Sequence, residues 1–377
     1  MSKIYSSISC NLDQDILLAS LPLLSESRVE AMEWSVDALY KHKKIPDWFL
    51  ALLQEFSRAN RLIGHGIFYS IFSGRWTSSQ RKWLNNLEKL SSEFHFNHIS
   101  EHFGFMTGED FHSGAPLDVP YTEATLRIGR DRLARIFQAC KCPVGLENLA
   151  FSYSLDQVKA QGEFLEKLVE PMNGFIILDL HNLYCQTHNF SLDFDKLLNL
   201  FPLDRVREIH ISGGSWADSR IAPEIKIRRD THDNRVPEEV FTMLRAAIAS
   251  CPQLKFVVLE QLGGGLKSEQ SRLDFYNDFV KLQDILKSNE SINTPSNSFL
   301  PTEAAFSDTV EQDEGLYQQQ VQLSRILETA KNYDEAMTLL QHSSLVNSEW
   351  KIEKWAPHMI ETAISIAQKW MKKPSSQ

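Results

Sequence analysis

Long apolar runs are missing from this sequence of 377 residues, and cysteines are few. No run approaches the roughly 20 apolar residues that a membrane-spanning helix needs, so we expect no membrane insertion. The five cysteines are odd in number and follow no disulfide framework, which indicates a reducing compartment. The first residues lack a basic stretch followed by an apolar one, so we expect no export signal and a cytoplasmic location.

Positive charge is also scarce. The chain has 39 Lys and Arg residues against 49 Asp and Glu residues, which gives a formal net charge of −10. Tight binding to a nucleic-acid backbone needs a basic surface, so we expect no nucleic-acid partner. Apolar residues, in contrast, are present in an ordinary amount, 42% of the chain, which is enough for a large buried core.

Eight short apolar segments, rich in β-branched, leucine or aromatic residues, are typical of strands buried on both faces of a parallel sheet. The segments are residues 4–10, 29–34, 62–68, 97–101, 143–147, 174–180, 206–211 and 256–260. Longer stretches with helical spacing separate them, and Gly162 is interpreted as marking the end of one such helix. Strand followed by helix, about eight times in succession, predicts an α/β fold with a (β/α)8 TIM barrel, which we assign to residues 1–287.

After the barrel the composition changes. Residues 288–315 are rich in Ser, Asn, Thr, Pro and acidic residues, which predicts a flexible linker. Residues 316–377 predict a helical C-terminal extension, in which Ile360, Ile364 and Ala367 put one apolar stripe on a final helix. Two interpretations of the extension stay open: an appendage packed against the barrel, or a docking element for a peptide or a partner subunit.

Six predicted strands in succession end in an imidazole or a carboxylate. These residues are His65, His102, Glu147, Asp179, His210 and Glu260. In a β/α barrel the carboxyl ends of all strands meet on one face, where active sites form. One such residue is more often a structural hydrogen-bonding group, but burying six together is costly unless cations or hydrogen bonds satisfy them. The pattern therefore predicts a metal centre.

A second cluster, Asp230 and His232, lies between the seventh predicted strand and the helix before the eighth. If this segment is extended, both side chains point to the same side, because strand side chains alternate with period two. They would then hold one ion with Asn182 or His181 opposite; the alternative is a loop turn capped by Asp230. Imidazole and carboxylate donors without an obvious thiolate suit iron, zinc or manganese.

Together these motifs resemble those of the multinuclear non-haem iron-dependent oxidative enzymes, which are xylose-isomerase-like TIM barrels that modify ribosomally made peptides. The resemblance covers residues 4–266. The motifs that match in order and spacing are Gly64-His65-Gly66, Ser100-Glu101-His102, Glu147-Asn148-Leu149, Leu178-Asp179 with Asn182, Glu208-Ile209-His210, and Asp230-Thr231-His232-Asp233 followed by Val236-Pro237.

The resemblance implies two or three irons, as Fe²⁺ or Fe³⁺, and dioxygen as co-substrate. The implied iron ligands form three sets, the first two of which share Glu147: His65, His102 and Glu147; Glu147, Asp179, His210 and Glu260; and Asn182, Asp230 and His232. No catalytic residue is separable from these ligands. The implied substrate is a precursor peptide, modified at Cys and presented by a separate partner protein.

Supporting roles beside the implied ligands are assigned to His181, Asn148 and Arg229. Many relatives have Asn-Asn where this chain has His181-Asn182, so His181 is interpreted either as an extra ligand or as a support. Arg228 and Arg229 are interpreted either as a clamp for a substrate carboxylate or phosphate, or as solvated side chains.

Other functions share parts of this pattern. Endonuclease IV-type trinuclear zinc barrels have a similar ligand order, but they need a basic groove for DNA and a His where this chain has Asn182. A sugar isomerase or epimerase on a related barrel uses fewer of these ligands. A metal-storage or scaffold protein would leave the third ligand set unexplained. The peptide-modifying oxidative enzyme is therefore the predicted function, and a metal-dependent hydrolase or isomerase on the same barrel is the alternative.

Overall fold

The computed structural model describes residues 3–37, 45–106, 116–289, 296–301 and 309–370. Its parallel barrel strands are β1 (Tyr5–Ser9), β2 (Ala31–Ser35), β3 (Leu62–Gly66), β4 (Ile99–His102), β5 (Val144–Glu147), β6 (Phe175–Asp179), β7 (Val206–Ile211) and, after a hairpin of β8 (Ser215–Asp218) and β9 (Lys226–Arg229), β10 (Phe256–Leu259). The barrel closes in the order β1-β10-β7-β6-β5-β4-β3-β2. The predicted TIM barrel is confirmed, and each predicted segment overlaps one barrel strand.

Helices pack around the barrel and connect its strands. They are α1 (Gln14–Ser25), α2 (Asp47–Arg58), α3 (Ser78–Glu93), α4 (Glu123–Cys140), α5 (Leu155–Val169), α6 (Leu180–Asn189), α7 (Phe194–Leu198), α8 (Glu238–Ser250) and α9 (Glu269–Lys287). Thr77, Thr122 and Ser268 begin α3, α4 and α9 with capping boxes, which satisfy free N–H groups of the first turn. Among the described residues, no helix combines the length and apolarity of a membrane span.

Alternate residues of each strand face the helices and the barrel interior. Leu62, Leu146 and Ile209 face outward and are fully buried in the main apolar core between sheet and helices. Inward-facing apolar residues at the strand starts fill the N-terminal end of the barrel. They are Ala31, Ile63 and Phe256 in one cluster, and Phe175 and Ile177 with Phe299 in another. This packing leaves the polar inward positions for the C-terminal end.

Described parts of the predicted linker contact the barrel. Phe299 is 1% exposed, and its ring centroid lies 6.0 Å from that of Phe175. Asn297 and Asn173 exchange side-chain hydrogen bonds of 2.9 and 3.0 Å. Residues 296–301 therefore lie beneath the N-terminal end of the barrel.

A helical C-terminal extension is present, as predicted. Its helices are α10 (Glu314–Thr329), α11 (Tyr333–Gln341) and α12 (Pro357–Trp370). The Trp355 ring stacks on Tyr153 in the loop after β5, with centroids 3.9 Å apart. Gln320 accepts a hydrogen bond of 2.9 Å from the backbone N–H of Gly74, in the loop after β3. The extension thus packs against loops at the C-terminal ends of the strands, whereas its docking role stays a prediction.

The interpretation of Gly162 as a helix-end residue is wrong. Gly162 lies inside α5, where it meets the backbone that follows α7. A Cβ atom at this position would lie 2.0 Å from the carbonyl oxygen of Leu200 and 3.0 Å from the Cα of Phe201. The glycine is needed because two backbone segments approach closely, which a single sequence does not reveal.

Asp118, in the loop after β4, is a buried carboxyl group outside the predicted site. It is 3% exposed, accepts a hydrogen bond of 2.9 Å from Ser152 Oγ, and accepts another of 2.8 Å from the backbone N–H of Val119. Burial outweighs these bonds and raises the pKa of Asp118 to about 7. Because the folded pKa is raised above the unfolded value of about 3.9, this group favours folding below that pH, and the contribution is lost as the pH rises through 7.

We therefore expect Asp118→Asn to stabilise the protein much more at pH 8 than at pH 5. The difference between the two pH values is on the order of 2–3 kcal/mol, since the stabilisation changes by about 1.4 kcal/mol per pH unit between pH 5 and the folded pKa of about 7 and hardly at all above it. Thermal unfolding of both proteins at the two pH values measures it. Asp284→Asn is the control, because that side chain is 70% exposed. An equal effect of Asp118→Asn at both pH values would contradict the expectation.

Candidate metal centre

Donor atoms from five barrel strands and the residue after β10 converge at the C-terminal end of the barrel. One group consists of His65, His102 and Glu147, and its donor atoms all lie within 4.8 Å of one another. A second group, with the same spacing, consists of Glu147, Asp179, His210 and Glu260. The structure thus brings together the six strand-end residues that the sequence singled out, and Glu147 belongs to both groups.

The register of the parallel strands explains this convergence. His102 pairs with Glu147 between β4 and β5, and Asp179 pairs with His210 between β6 and β7. Paired residues of neighbouring strands lie at one level of the barrel and face the same side. His65 is the penultimate residue of β3, and the alternation of side chains along the strand points it into the barrel. A one-residue slip in any strand would turn its donor toward the helices.

Glu147 lies at the middle of the site and is 2% exposed. Its Oε2 lies 3.1 Å from His65 Nε2 and 3.3 Å from His102 Nε2. Its Oε1 lies 3.6 Å from His210 Nδ1, and that nitrogen is 3.3 Å from Oε2 of Glu260. Each carboxylate oxygen of Glu147 therefore faces a different set of imidazoles.

The second nitrogen of each imidazole is held from outside the site. His65 Nδ1 lies 2.8 Å from Ser100 Oγ, and His102 Nδ1 donates to the Gly66 carbonyl oxygen at 3.0 Å. His210 Nε2 lies 2.8 Å from Glu208 Oε1. These bonds orient the rings so that the other nitrogen faces the carboxylates, the arrangement usual for metal-binding histidines.

Several buried polar atoms that face the site make no hydrogen bond to the protein. They are His65 Nε2, His210 Nδ1, Glu147 Oε2, Asp179 Oδ2 and Asn182 Oδ1. Leaving such atoms unsatisfied is costly, and a divalent cation would satisfy nitrogen lone pairs and carboxylate oxygens at once. The residues present therefore fit a metal centre.

The shifted pKa values of Asp179 and His65 are also consistent with a site for a cation. Burial, together with the charges of Glu147 and Asp230, raises the pKa of Asp179 well above its usual range. Burial alone lowers the pKa of His65, but the carboxylates of Glu147 and Glu33 raise it to about 10. A cation in this site therefore competes with protons on Asp179 and His65.

Asp230 and His232 also meet, but the premise of an extended segment is wrong. His232 has a φ of +51° and lies in a bend, so the two side chains do not meet by strand alternation. His232 Nε2 is 2.8 Å from Asp230 Oδ1, and its Nδ1 is 3.6 Å from Glu260 Oε2. Asn182 Nδ2 lies 3.5 Å from Glu147 Oε1. Of the third predicted set, His232 thus contacts Asp230 and Glu260, and Asn182 contacts Glu147; that the three hold one ion together stays a prediction.

His181 lies between Asp230 and Arg228. Its Nδ1 is 2.9 Å from Asp230 Oδ1, and its Nε2 accepts hydrogen bonds of 3.1 and 2.9 Å from Arg228 Nε and Nη2. With both nitrogens engaged in this way, the geometry favours the supporting role over the extra ligand. The Arg228 guanidinium lies 5.2 Å from the ring centroids of both Tyr184 and Trp216, which hold it in place.

The other two predicted supports differ from each other. Asn148 Oδ1 accepts a hydrogen bond of 2.7 Å from the Asp179 backbone N–H, so it holds the end of β6. Arg229 is exposed and donates to Ser215 Oγ at 2.9 Å, away from the cluster. The buried arginine beside the site is its neighbour Arg228, whose guanidinium donates to His181 Nε2.

Sequence reasoning missed three fully buried residues below the cluster: Glu33 in β2, Glu208 in β7 and His98 just before β4. Donor atoms of Glu33, Glu208 and His210 lie within 4.8 Å of one another. The signal was present, since Glu208 is two residues before His210 and therefore faces the same side of the strand. A position at the end of a strand, the feature shared by the six predicted donors, does not single out Glu208, Glu33 or His98.

The fold and this cluster define a β/α-barrel protein with a candidate multinuclear metal centre. Residues 27–261 match the family model described as "RiPP precursor modification enzyme MbnB/TglH/ChrH", and the chain belongs to this family. These enzymes modify precursors of ribosomally synthesised and post-translationally modified peptides. The family that the motifs indicated is thereby confirmed.

The chain is also similar to individual proteins, at low sequence identity. A UPF0276 protein of Rhizorhabdus wittichii is 28% identical over 185 residues, which cover 49% of this chain and 63% of the relative. A UPF0276 protein of Chromobacterium violaceum is 29% identical over 200 residues, which cover 53% and 69%. The match to the first of these spans less than two thirds of the relative's length.

Solved structures also resemble the chain. A xylose isomerase-like TIM barrel/4-hydroxyphenylpyruvate dioxygenase fusion protein is 15% identical, with a TM-score of 0.48, and the match covers 87% of this chain and 52% of that one. Endonuclease IV from Thermus thermophilus is 11% identical, with a TM-score of 0.47 and coverage of 74% and 99%.

Proposed function

We propose that this protein is a multinuclear iron enzyme that uses dioxygen to oxidise a ribosomally made precursor peptide, at a Cys residue. The observation that carries the proposal is the pair of donor groups that share Glu147, at the end of the barrel where active sites form. Membership of the peptide-modifying family supplies the substrate class.

In this proposal each donor group holds one iron. His65, His102 and Glu147 would hold the first iron; Asp179, His210 and Glu260, together with Glu147, would hold the second. Asp230 and His232, with Asn182, offer a third site. Bound iron would supply redox chemistry with dioxygen as co-substrate. The chain's own residues orient the ligands, keep the site buried and so exclude water.

The choice of iron rests on the family resemblance, because imidazole and carboxylate donors also suit zinc and manganese. The substrate would be a peptide that reaches the C-terminal end of the barrel, presented by a separate partner protein. We place the reaction in the cytoplasm, in keeping with cysteines that are few, odd in number and buried.

Metal analysis and oxygen uptake test this function together. We expect protein purified without added metal to contain iron, and to consume oxygen with a short Cys-containing peptide encoded beside its gene. His65→Ala should lower the oxygen uptake at least about tenfold, because one donor group loses an imidazole. The matched control is His342→Ala, since His342 is exposed at the end of α11 in the extension.

Zinc as the sole metal, without iron and without oxygen uptake, would contradict the proposal. Phosphodiester or peptide hydrolysis by such a zinc protein would favour the alternative, a metal-dependent hydrolase on the same barrel. Equal oxygen uptake by His65→Ala and His342→Ala would contradict the assigned site.

A further inference from the structure

A buried column of polar side chains runs down the inside of the barrel from the metal centre. It consists of His210, Glu208, His98, Arg207 and Asn97, and we call it the polar column. His210, Glu208 and His98 are 0% exposed, Asn97 is 5% exposed and Arg207 is 7% exposed. Apolar branched side chains usually fill the inside of such barrels, so a continuous polar line at this depth calls for a function.

The hydrogen bonds of the column form an unbroken chain. His210 Nε2 lies 2.8 Å from Glu208 Oε1, and Glu208 Oε2 lies 2.8 Å from His98 Nε2. Arg207 Nε donates to His98 Nδ1 at 3.3 Å, and Arg207 Nη2 donates to Asn97 Oδ1 at 2.8 Å. Both oxygens of Glu208 are therefore engaged by imidazoles.

Arg207 determines the donor and the acceptor in each of the hydrogen bonds that link His98, Glu208 and His210. A guanidinium has only donors, so His98 Nδ1 must accept, and the proton of a neutral His98 ring is on Nε2. Burial lowers the pKa of His98 to about 4, so the ring is neutral at pH 7. His98 therefore donates to Glu208, and Glu208 accepts from His210 Nε2–H. Nδ1 of His210 is then the nitrogen that faces Glu147 and Glu260.

We propose that Glu208 and His98 are positioning residues that hold His210 with Nδ1 toward the second iron site. This inference rests on the proposed function, because it assigns a role in preparing that site. Glu208 acts through His210: its 2.8 Å contacts with two imidazoles have hydrogen-bond length and engage both of its oxygens. Carboxylates that accept from a metal-binding imidazole fix its orientation and increase its basicity.

An alternative role for this part of the column is to bind a metal ion through Glu33, Glu208 and His210. Glu33 distinguishes the two, because its Oε2 lies 3.0 Å from His210 Nε2 but both of its oxygens lack a hydrogen bond. A buried ion would need Glu33 as a ligand, whereas the positioning role needs only Glu208. Glu33→Gln is therefore the matched control for Glu208→Gln.

The experiment compares metal content, metal affinity and iron spectra of the full chain and its variants. Glu208→Gln keeps the volume, but its amide N–H groups conflict with either His98 Nε2–H or His210 Nε2–H. We expect iron affinity at the second site to fall about 10- to 100-fold, with an altered Mössbauer spectrum for that iron. His98→Leu should act in the same direction, and His98→Gln should restore wild-type behaviour because its amide again donates to Glu208.

The column has no positioning role if Glu208→Gln and His98→Leu bind iron with wild-type stoichiometry, affinity and spectrum. Loss of an ion from Glu33→Gln, equal to that from Glu208→Gln, would also overturn the proposal in favour of a buried metal site. If Glu208→Gln does not fold, the comparison of His98→Leu with His98→Gln decides. If the wild type holds no iron, the proposed function fails, and Co²⁺ affinities and the optical absorption of bound Co²⁺, compared among the same variants, still test the column.

Discussion

Glu147→Ala is expected to lose more bound metal than His232→Ala. Glu147 presents one oxygen to His65 and His102 and the other to His210, so its removal weakens two donor groups at once. His232 contacts only Asp230 and Glu260 among the proposed ligands, at the edge of the cluster. We expect Glu147→Ala to lose at least about one metal ion per chain, with loss of activity. Metal per chain after dialysis, measured by elemental analysis, gives the comparison.

Folding has to be controlled in this experiment, because Glu147 also carries charge in a buried cluster. Thermal unfolding in the presence of a chelator compares the variants without their metal. Glu55→Ala is a suitable reference, since that glutamate side chain is 71% exposed on α2. Full metal content in both Glu147→Ala and His232→Ala would show that the ligands are assigned wrongly.

Gly162→Ala is expected to destabilise the fold strongly. The added Cβ would lie 2.0 Å from the carbonyl oxygen of Leu200 and 2.7 Å from its carbonyl carbon, and backbone atoms cannot turn away as a side chain can. Either α5 or the segment after α7 must shift, which disturbs packing around β5 and β6. We expect a loss of about 3 kcal/mol, at the upper end of overpacking effects, or failure to fold.

Gly264→Ala is the matched control, because a Cβ at Gly264 would have no neighbour within 4 Å. Chemical unfolding of both variants, followed by far-ultraviolet circular dichroism, measures the difference. Equal midpoints for the two variants would mean that α5 and the segment after α7 do not approach as closely as the structure has them.

The barrel could be predicted because its signal is local. Strands buried on both faces show as short apolar runs, and each run is followed by a helix with its own apolar stripe. The cluster of candidate metal ligands could be predicted for the same reason, since parallel strands bring their carboxyl ends together in any barrel. His65 and Glu147 are therefore neighbours whatever the details of the loops.

Other assignments depended on contacts between distant segments. Gly162 touches Leu200, which lies 38 residues further along the chain, and no local pattern records that approach. His232 has a φ angle of +51°, and a histidine in the sequence does not indicate this backbone conformation. Arg228 rather than Arg229 reaches the site because β9 is paired with β8 and packed on α6, which sets which side faces inward.

The sequence by itself determined the fold class, the face that carries the site, and the six strand-end donors, because these follow from periodicity and strand direction. Only the tertiary structure decided which nitrogen of His210 faces Glu147 and Glu260, since Glu208, His98 and Arg207 set that choice from the barrel interior. It also brought the helical extension against the loops at the C-terminal ends of the strands. Hydrogen-bond direction and packing between distant segments depend on three-dimensional neighbours, which the order of residues does not state.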